Sequence, residues 1–273
     1  MDNISKLQDI CKTVRRDILQ MINKAGSGHP GGSLSSTEIL VALYFEIMNI
    51  DPQDPNKFDR DRFILSKGHA APVLYSVLAR RGFFSTDLLK TLREFESPLQ
   101  GHPHMFSTVG LDCSSGSLGQ GLSIANGLSL AAKKKGLAYR TYCLLGDGEI
   151  QEGQVWEAAM TAAHLKLDNV CVIVDWNGVQ LDGSTKEVMD IEPISEKFAS
   201  FNWNVLQVDG HDLGALLTCY RQAMNRKGCP TVLIAKCTKG KGVSFMENKA
   251  EWHGLAPTNE QLAMALSEIN GDI

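Results

Sequence analysis

The segment Thr141–Gln180 constrains the fold of this chain more than any other part of its sequence. Two short apolar runs, Tyr142–Leu145 and Val170–Val174, flank an alanine-rich stretch typical of a helix, Val155–Leu165. Each apolar run ends at a polar turn that contains glycine. The order strand, helix, strand predicts a right-handed βαβ crossover, in which both strands join one parallel sheet and their carboxyl ends lie at the same edge.

Asp147 and Asn177 follow the two predicted strands, within Gly-Asp-Gly and Asn-Gly. Either sequence alone is a common turn, because glycine tolerates positive φ and the polar side chain bonds to nearby backbone. Together, one crossover apart, the two residues are expected to meet at the sheet edge where such folds bind ligands. A carboxylate and an amide oxygen at that edge suit a hard cation such as Mg²⁺, which keeps coordination positions for phosphate.

The rest of the chain repeats this alternation. It predicts one doubly wound α/β domain over residues 1–273, with a mostly parallel sheet and helices on both faces. Strands are expected near 63–65, 141–145, 170–174, 203–208 and 231–235. Helices are expected at Ile4–Ala25, Thr37–Met48, Ala71–Arg81, Ser85–Glu94, Leu122–Lys133, Val155–Leu165, Ile194–Ser200 and Leu213–Asn225. Irregular structure is expected at Gly26–Gly32, Leu181–Glu187 and Ser97–Ser117, and a loop as long as the last is usually functional.

Charge and apolar content exclude several classes of protein. The 273 residues carry a net charge of −4, which gives no general attraction to nucleic acid or to an anionic membrane. The N-terminal segment lacks the apolar core of a signal peptide, and no apolar run is long enough to span a bilayer. The seven cysteines are widely spaced and form no CxxC pair, which indicates reduced thiols in a cytoplasmic protein.

The histidines lie mostly in predicted loops. His164 is in a predicted helix and is interpreted as structural; the other six lie beside glycine or proline, at His29, His69, His102, His104, His211 and His253. One loop histidine is usually solvated, but several on separate loops can converge on a cleft. There a pKa of about 6.5 permits proton transfer and hydrogen bonding to anions. Next to a cation site, such a cluster indicates an acid/base enzyme that handles a phosphorylated cofactor.

Other phosphate-binding signals are weak. Lys239 and Lys241 lie among glycines and can contact phosphate, although loop lysines are more often simply solvated. No GxxxxGK[ST] motif occurs, and no GxGxxG motif follows a predicted strand. The sequence therefore disfavours the common nucleotide-binding enzymes.

Six motifs, taken together and in order, resemble the N-terminal, diphosphate-binding domain of transketolase. They are Ser27-Gly-His-Pro-Gly, Ser66-Lys-Gly-His-Ala, Gly101-His-Pro, Gly116-Ser-Leu-Gly-Gln-Gly, Gly146-Asp-Gly-Glu and Asp175-Trp-Asn-Gly. The resemblance extends from near Ile10 to Trp252-His253-Gly254, which is almost the whole chain.

This resemblance implies thiamine diphosphate and Mg²⁺, with Ca²⁺ or Mn²⁺ as substitutes. It implies metal ligation by Asp147, Asn177 and the Val179 carbonyl. It implies cofactor contacts from His69, Gly116, Ser117, Leu118, Asp147, Gly148, Glu149, Asn177, Lys241 and His253. It implies catalytic roles for His29, His69, His102 and His253, and for Glu152 at a subunit interface. Ser117 stands where some relatives have proline, a change of little expected consequence because the backbone makes that contact.

The resemblance also implies a partner. Full-size transketolases continue into a pyrimidine-binding domain and a C-terminal domain, and neither is expected within these 273 residues. We therefore expect a two-chain enzyme, a heterotetramer that transfers a two-carbon ketol unit between sugar phosphates, as in the pentose phosphate pathway. Two alternatives remain at this point: the α subunit of a 2-oxo acid dehydrogenase, which carries the same metal pattern, and a non-catalytic module that binds diphosphate or a partner.

Overall fold

The computed structural model describes residues 3–271. Within that range the strands are β1 Arg62–Leu65, β2 Thr141–Gly146, β3 Val170–Trp176, β4 Val179–Gln180, β5 Gly183–Ser184, β6 Asn204–Asp209 and β7 Thr231–Lys236. The α-helices are α1 Asn3–Ala25, α2 Pro30–Ser35, α3 Thr37–Ala42, α4 Ala71–Arg81, α5 Gly121–Lys134, α6 Gly153–His164, α7 Thr185–Met189, α8 Ile194–Ser200, α9 Leu213–Asn225 and α10 Asn259–Asn270. Each of these helices is too short or too polar to cross a lipid bilayer.

Five strands form one parallel sheet in the order β1-β2-β3-β7-β6, and β4 pairs antiparallel with β5 in a separate small hairpin. Gly146, the last residue of β2, pairs with Asp175 near the end of β3. The two strand ends therefore lie side by side, as the βαβ interpretation of the sequence predicts.

Helices cover both faces of this sheet because successive strand residues point to opposite sides. Leu144 and Ile173 pack into a core formed with α1, α3, α4, α9 and α10. Cys143 and Val172 pack into a second core formed with α5, α6 and α8. Strands that are buried on both faces read as continuous apolar runs, which explains the composition of β2 and β3.

Several local predictions are wrong at this level. The Gly26–Gly32 stretch contains the start of α2, because Pro30 needs no hydrogen-bonded N–H at the first position of a helix. The predicted helix Ser85–Glu94 is a 3₁₀ helix, Thr86–Thr91. The predicted loop 181–187 holds β5 and the start of α7, and α10, with its Thr258 and Gln261 capping box, is absent from the predicted helices.

Two glycines of α5 provide a matched stability test. A Cβ at Gly121 would clash with Cβ and Oγ of Ser66, whereas a Cβ at Gly127 would meet nothing within 4 Å. Gly121→Ala is expected to destabilise the isolated chain by about 1–3 kcal/mol through overpacking. Gly127→Ala is expected to stabilise it by about 0.5–1 kcal/mol, since alanine is the better helix former. Urea unfolding of both variants measures the two changes in stability. Equal changes would contradict the close packing of Gly121 against Ser66.

Candidate functional site

A cavity of about 200 Å³ lies at the carboxyl ends of β2 and β3. Asp147, Asn177 and Val179 line it, together with His69 and His253. The pairing of Gly146 with Asp175 brings the first three residues together, as described above. The cavity is therefore where the sequence predicts a ligand site.

The Asp147 side chain is almost completely buried, with 2% exposure. Its carboxylate accepts backbone hydrogen bonds from Gly148 and Gly178, which fix its orientation. Burial, together with the negative charge of Asp175, raises the pKa of Asp147 to about 6. A cation at this carboxylate would reverse that shift, because an opposite charge favours the ionised form.

Asn177 and Val179 complete the same corner. The Asn177 side-chain oxygen accepts a hydrogen bond from the Val179 N–H at 3.1 Å. The Val179 carbonyl oxygen accepts one from the Lys239 ammonium at 2.8 Å. The ammonium therefore occupies the carbonyl oxygen, and a cation bound to that oxygen would take its place.

Four of the six loop histidines converge beside this corner. The ring centroid of His29 lies 5.4 Å from that of His69, 6.0 Å from that of His102 and 5.5 Å from that of His253. His69 and His253 stack with centroids 4.9 Å apart. The rings come from the start of α2, two 3₁₀ turns and the long loop, so only the tertiary fold assembles them.

The remaining two loop histidines lie elsewhere. The His104 ring hydrogen-bonds the Ser107 hydroxyl at 2.8 Å, which is a local loop contact. His211 pairs with Glu38 at 3.0 Å.

Burial lowers the pKa of every ring in the cluster. It lowers the pKa of His29 to about 4, with help from Arg93 and His102. It lowers the pKa of His253 to about 3, with help from Lys239 and His29. The pKa values of His69 and His102 are also lowered, again mainly by burial. At neutral pH each imidazole is therefore uncharged and offers one donor and one acceptor, a set that matches the hydroxyl groups of a sugar.

These shifts predict a pH dependence of stability. A histidine whose pKa is lower in the folded than in the unfolded state binds fewer protons when folded, so stability falls as pH drops below about 6.5. We expect the melting temperature of the cofactor-free chain to decrease as the pH is lowered from about 6.5 to about 4. The decrease should be smaller in His29→Asn, because this variant lacks the His29 ring. His164→Ala, near the end of α6, is the control and should behave as wild type. Parallel curves for wild type and His29→Asn would contradict this.

Lys239, and not Lys241, lines the cavity. The Lys239 side chain is buried, with 2% exposure, and its ammonium lies 2.9 Å from Nδ1 of His253. Burial and the nearby Lys67 charge lower the pKa of Lys239 to about 8. Lys241 pairs with Glu247 at 3.6 Å, outside the cavity. Of the two lysines in the Lys-Gly-Lys-Gly sequence, Lys239 has the geometry to contact an anion here.

The segment Gly116–Leu118 borders the histidine cluster. A Cβ at Gly116, where φ is +150°, would lie 3.3 Å from the His102 ring, so this position requires glycine. Leu118 lines the cavity with 37% of its surface exposed. Ser117, the residue in place of a proline, is exposed.

Glu149 and Glu152 have different surroundings. The buried Glu149 carboxylate accepts hydrogen bonds from the Ser66 hydroxyl and from the N–H groups of Gly119 and Gly146. These bonds join the ends of β1 and β2 to the segment before α5, and Glu149 itself lines the cavity. Glu152 is exposed beside Gly119, away from the cavity.

A buried ion pair in the wall of the cavity is absent from the sequence-based predictions. The Lys67 ammonium contacts Asp175 and also donates to the Gly32 carbonyl at 3.0 Å and to the Ser36 hydroxyl at 3.1 Å. Ser35 donates to the same Asp175 oxygen at 2.6 Å. Lys67 lies within the Ser66-Lys-Gly-His motif and Asp175 immediately precedes Trp-Asn-Gly, so the motifs contain both residues but do not reveal that they pair.

The family model described as "Transketolase, thiamine diphosphate binding domain" matches residues 6–270. The chain belongs to the transketolase family. The family resemblance of the sequence motifs is thereby confirmed.

Relatives and solved structures agree with this assignment. The chain is 43% identical to a 6-deoxy-6-sulfo-D-fructose transketolase subunit of Clostridium sp. (strain MSTE9), over 96% of each chain. It is 42% identical to an apulose-4-phosphate transketolase subunit of Phocaeicola vulgatus, over 94% of this chain and 91% of the relative. It superposes on transketolase from Campylobacter jejuni with a TM-score of 0.93 and 34% identity, covering 98% of this chain and 43% of that one.

These comparisons confirm the transketolase fold class, an α/β sheet with helices on both faces, and the enzyme class, because the relatives are named transketolases or their subunits. They also show that relatives of two lengths exist. The chain matches the named subunits over nearly their full length but spans under half of the Campylobacter jejuni transketolase chain.

Proposed function

We propose that this chain is the N-terminal subunit of a two-chain, thiamine diphosphate-dependent transketolase. In this proposal residues 1–273 form the diphosphate-binding domain, and the enzyme transfers a two-carbon ketol unit from a ketose phosphate to an aldose phosphate in the cytoplasm. The observation that carries it is the convergence of His29, His69 and His253 beside the corner formed by Asp147 and Asn177. One site thus combines groups for a metal-bound diphosphate with groups for sugar hydroxyls.

The corner fits a divalent cation. Asp147 would supply a carboxylate oxygen, Asn177 an amide oxygen and Val179 a carbonyl oxygen, a set of hard donors that suits Mg²⁺, and Ca²⁺ or Mn²⁺ as substitutes. The raised pKa of the buried Asp147 supports this, since a dication would offset the cost of burying its charge. Lys239 and His69, which line the same cavity, would face the diphosphate.

The histidines would bind and orient the substrates. When bound, thiamine diphosphate supplies the nucleophilic carbon that takes up the two-carbon unit. The uncharged rings of His29 and His102 can donate to one hydroxyl oxygen and accept from another, and so hold the sugar and move its hydroxyl protons. His253, which stacks on His69, would contact both the diphosphate and the sugar.

Exposed apolar side chains at the cavity support a partner chain. Leu118 and Leu181 line the cavity with 37% and 61% of their surface exposed, and Met189 of the adjoining α7 is 60% exposed. Clusters of this kind usually mark interfaces. We propose that a second, pyrimidine-binding chain covers them, and that Glu152 lies at an interface within a heterotetramer.

The names of two related subunits support a choice of substrate class. The name of one relative specifies 6-deoxy-6-sulfo-D-fructose and that of another specifies apulose-4-phosphate, and both sugars bear an anionic group. We propose an anionic sugar for this enzyme too, with a sugar phosphate as the first choice.

Reconstitution tests the proposal. The chain should be mixed with a candidate partner, thiamine diphosphate and Mg²⁺, and ketol transfer between sugar phosphates followed by chromatography. We expect activity that each chain alone lacks. Full activity of the isolated chain would contradict the two-chain proposal. Pyruvate oxidation with a lipoyl acceptor would favour the 2-oxo acid dehydrogenase alternative, which the transketolase family assignment disfavours.

A further inference from the structure

A buried polar cluster outside the cavity joins three distant parts of the chain. Arg15 of α1 donates to Glu38 of α3 at 2.8 Å, and Nδ1 of His211 lies 3.0 Å from the same carboxylate. Nε2 of His211 accepts a hydrogen bond from the Thr238 N–H at 2.8 Å. Glu38 is 7% exposed and Arg15 is 8% exposed, so most of their surface is removed from water, although both also border an open pocket together with His211. None of these residues lines the cavity.

The cluster contacts the backbone on both sides of Lys239. His211 accepts from Thr238, the residue before it. Arg15 donates through Nε to the Lys241 carbonyl, two residues after it, at 3.0 Å. The Arg15 side chain also packs against Gly242, where a Cβ would lie 3.1 Å from Arg15 Cδ. Two side chains of one cluster therefore fix the loop at both flanks of the cavity lysine.

Backbone contacts also hold the loop: the Asn248 N–H donates to the Lys239 carbonyl at 2.9 Å, and α2 contributes a second contact. Gly240 donates to the Gly31 carbonyl at 3.0 Å, and the Lys239 stem passes close to Gly31, where a Cβ would lie 3.1 Å from Lys239 Cγ. The ammonium then reaches Val179 and His253. A shift of the Thr238 or Lys241 backbone would change the point from which the Lys239 side chain enters the cavity.

The hydrogen bonds determine the form of His211. Because Nε2 accepts from a backbone N–H, the ring proton lies on Nδ1 and is donated to Glu38. Burial opposes ionisation of Glu38, but Arg15 and His211 hold its pKa below the usual value. The ionised Glu38 thus favours the tautomer of His211 that is protonated on Nδ1, and Nε2 is left free to accept from the Thr238 N–H. Carboxylates orient metal-bound histidines in the same way.

We propose that His211, oriented by Glu38 and Arg15, is a positioning residue that holds the Thr238–Lys241 loop so that the Lys239 ammonium faces the diphosphate of the cofactor. This inference rests on the proposed function for the identity of the ligand. The tautomer and the loop contacts are independent of it.

Two substitutions of His211 separate its two bonds. In His211→Gln the side-chain oxygen can reach the Nε2 position and accept from Thr238, whereas in His211→Asn the amide reaches only the Nδ1 position. We expect the half-saturating thiamine diphosphate concentration of the two-chain enzyme to rise about tenfold in His211→Asn, the lower end of the loss seen when an outer contact of a metal site is removed. We expect His211→Gln to restore most of the affinity. His164→Ala is the control and should bind as wild type.

A double-mutant cycle tests whether His211 acts through Lys239. If it does, His211→Asn weakens cofactor binding in the wild type but adds little in a Lys239→Met background. Additive losses, or equal affinities for His211→Asn and His211→Gln, would overturn the proposal.

Two readouts do not depend on the cofactor. Nitrogen NMR of the isolated chain should show His211 protonated at Nδ1, and the opposite tautomer would overturn the proposal. Hydrogen exchange should accelerate in the peptide that contains Thr238 in His211→Asn but not in His211→Gln, and unchanged exchange would also overturn it.

If the two-chain enzyme shows no dependence on thiamine diphosphate while both readouts agree with expectation, the proposed function fails and the loop contact stands. If His211→Asn does not fold, the proposal is decided by the tautomer of His211 in the wild type and by hydrogen exchange of the Thr238 peptide in His211→Gln.

Discussion

Asp147→Ala is expected to remove ketol transfer from the reconstituted two-chain enzyme, with a loss of at least about a hundredfold. The reason is that Asp147 is the carboxylate of the proposed metal corner, buried to 2% exposure and held by the N–H groups of Gly148 and Gly178. Loss of an outer contact already costs about 10–100-fold in affinity or activity at metal sites, and loss of a charged ligand costs at least as much. The half-saturating Mg²⁺ concentration should rise together with the loss of rate.

Asp54→Ala is the matched control, because it removes the same charge from an exposed turn that does not line the cavity. It should leave both the rate and the Mg²⁺ requirement unchanged. Asn177→Ala should resemble Asp147→Ala with a smaller loss, since an uncharged ligand is removed. If the two-chain enzyme keeps its activity in both Asp147→Ala and Asn177→Ala, the result would favour the alternative in which this site is not catalytic.

The largest expected effect on stability comes from Lys67→Met. The Lys67 side chain is 2% exposed and that of Asp175 is 0% exposed, and the two form an ion pair. Removing the lysine leaves a buried carboxylate with only uncharged donors, among them the hydroxyls of Ser35 and Ser36. Breaking a buried pair in this way costs about 3–5 kcal/mol. We expect the free energy of unfolding in urea to fall by that amount.

Lys90→Met is the matched control. Lys90 pairs with Asp87 at 2.8 Å, but 69% and 81% of the two side chains are exposed. An exposed pair contributes at most about 1 kcal/mol, so this substitution should change stability little. The double variant Lys67→Met, Asp175→Asn should regain most of the loss, because no unpaired charge is left buried. Equal losses in Lys67→Met and Lys90→Met would contradict the importance of the buried pair.

The edge of the sheet is predictable from sequence because strand ends are marked locally. β2 and β3 are apolar runs that stop at glycine-containing turns, and parallel pairing then sets Gly146 against Asp175 whatever the other loops do. The same local logic places Asp147 and Asn177 at one edge. The family motifs add the expected positions of His29, His69, His102 and His253, and the structure brings these rings together.

The directions of side chains in loops are less predictable. Lys239 and Lys241 are equivalent in the local sequence, yet only Lys239 enters the cavity. Which one does so depends on positive φ at Gly240 and Gly242 and on Arg15, a residue far away in sequence. The Lys67–Asp175 pair is hidden for the same reason, since its partners come from β3 and from the segment Gly32–Ser36.

A crystal structure of the two-chain complex with Mg²⁺ and thiamine diphosphate tests the central claim most directly. We expect a metal ion bound by Asp147, Asn177 and the Val179 carbonyl, with the diphosphate on it and the Lys239 ammonium turned from Val179 to the diphosphate. We also expect the sugar-binding face of the cofactor to lie under the four histidines. A metal or diphosphate bound away from the Asp147 corner would contradict the proposed function.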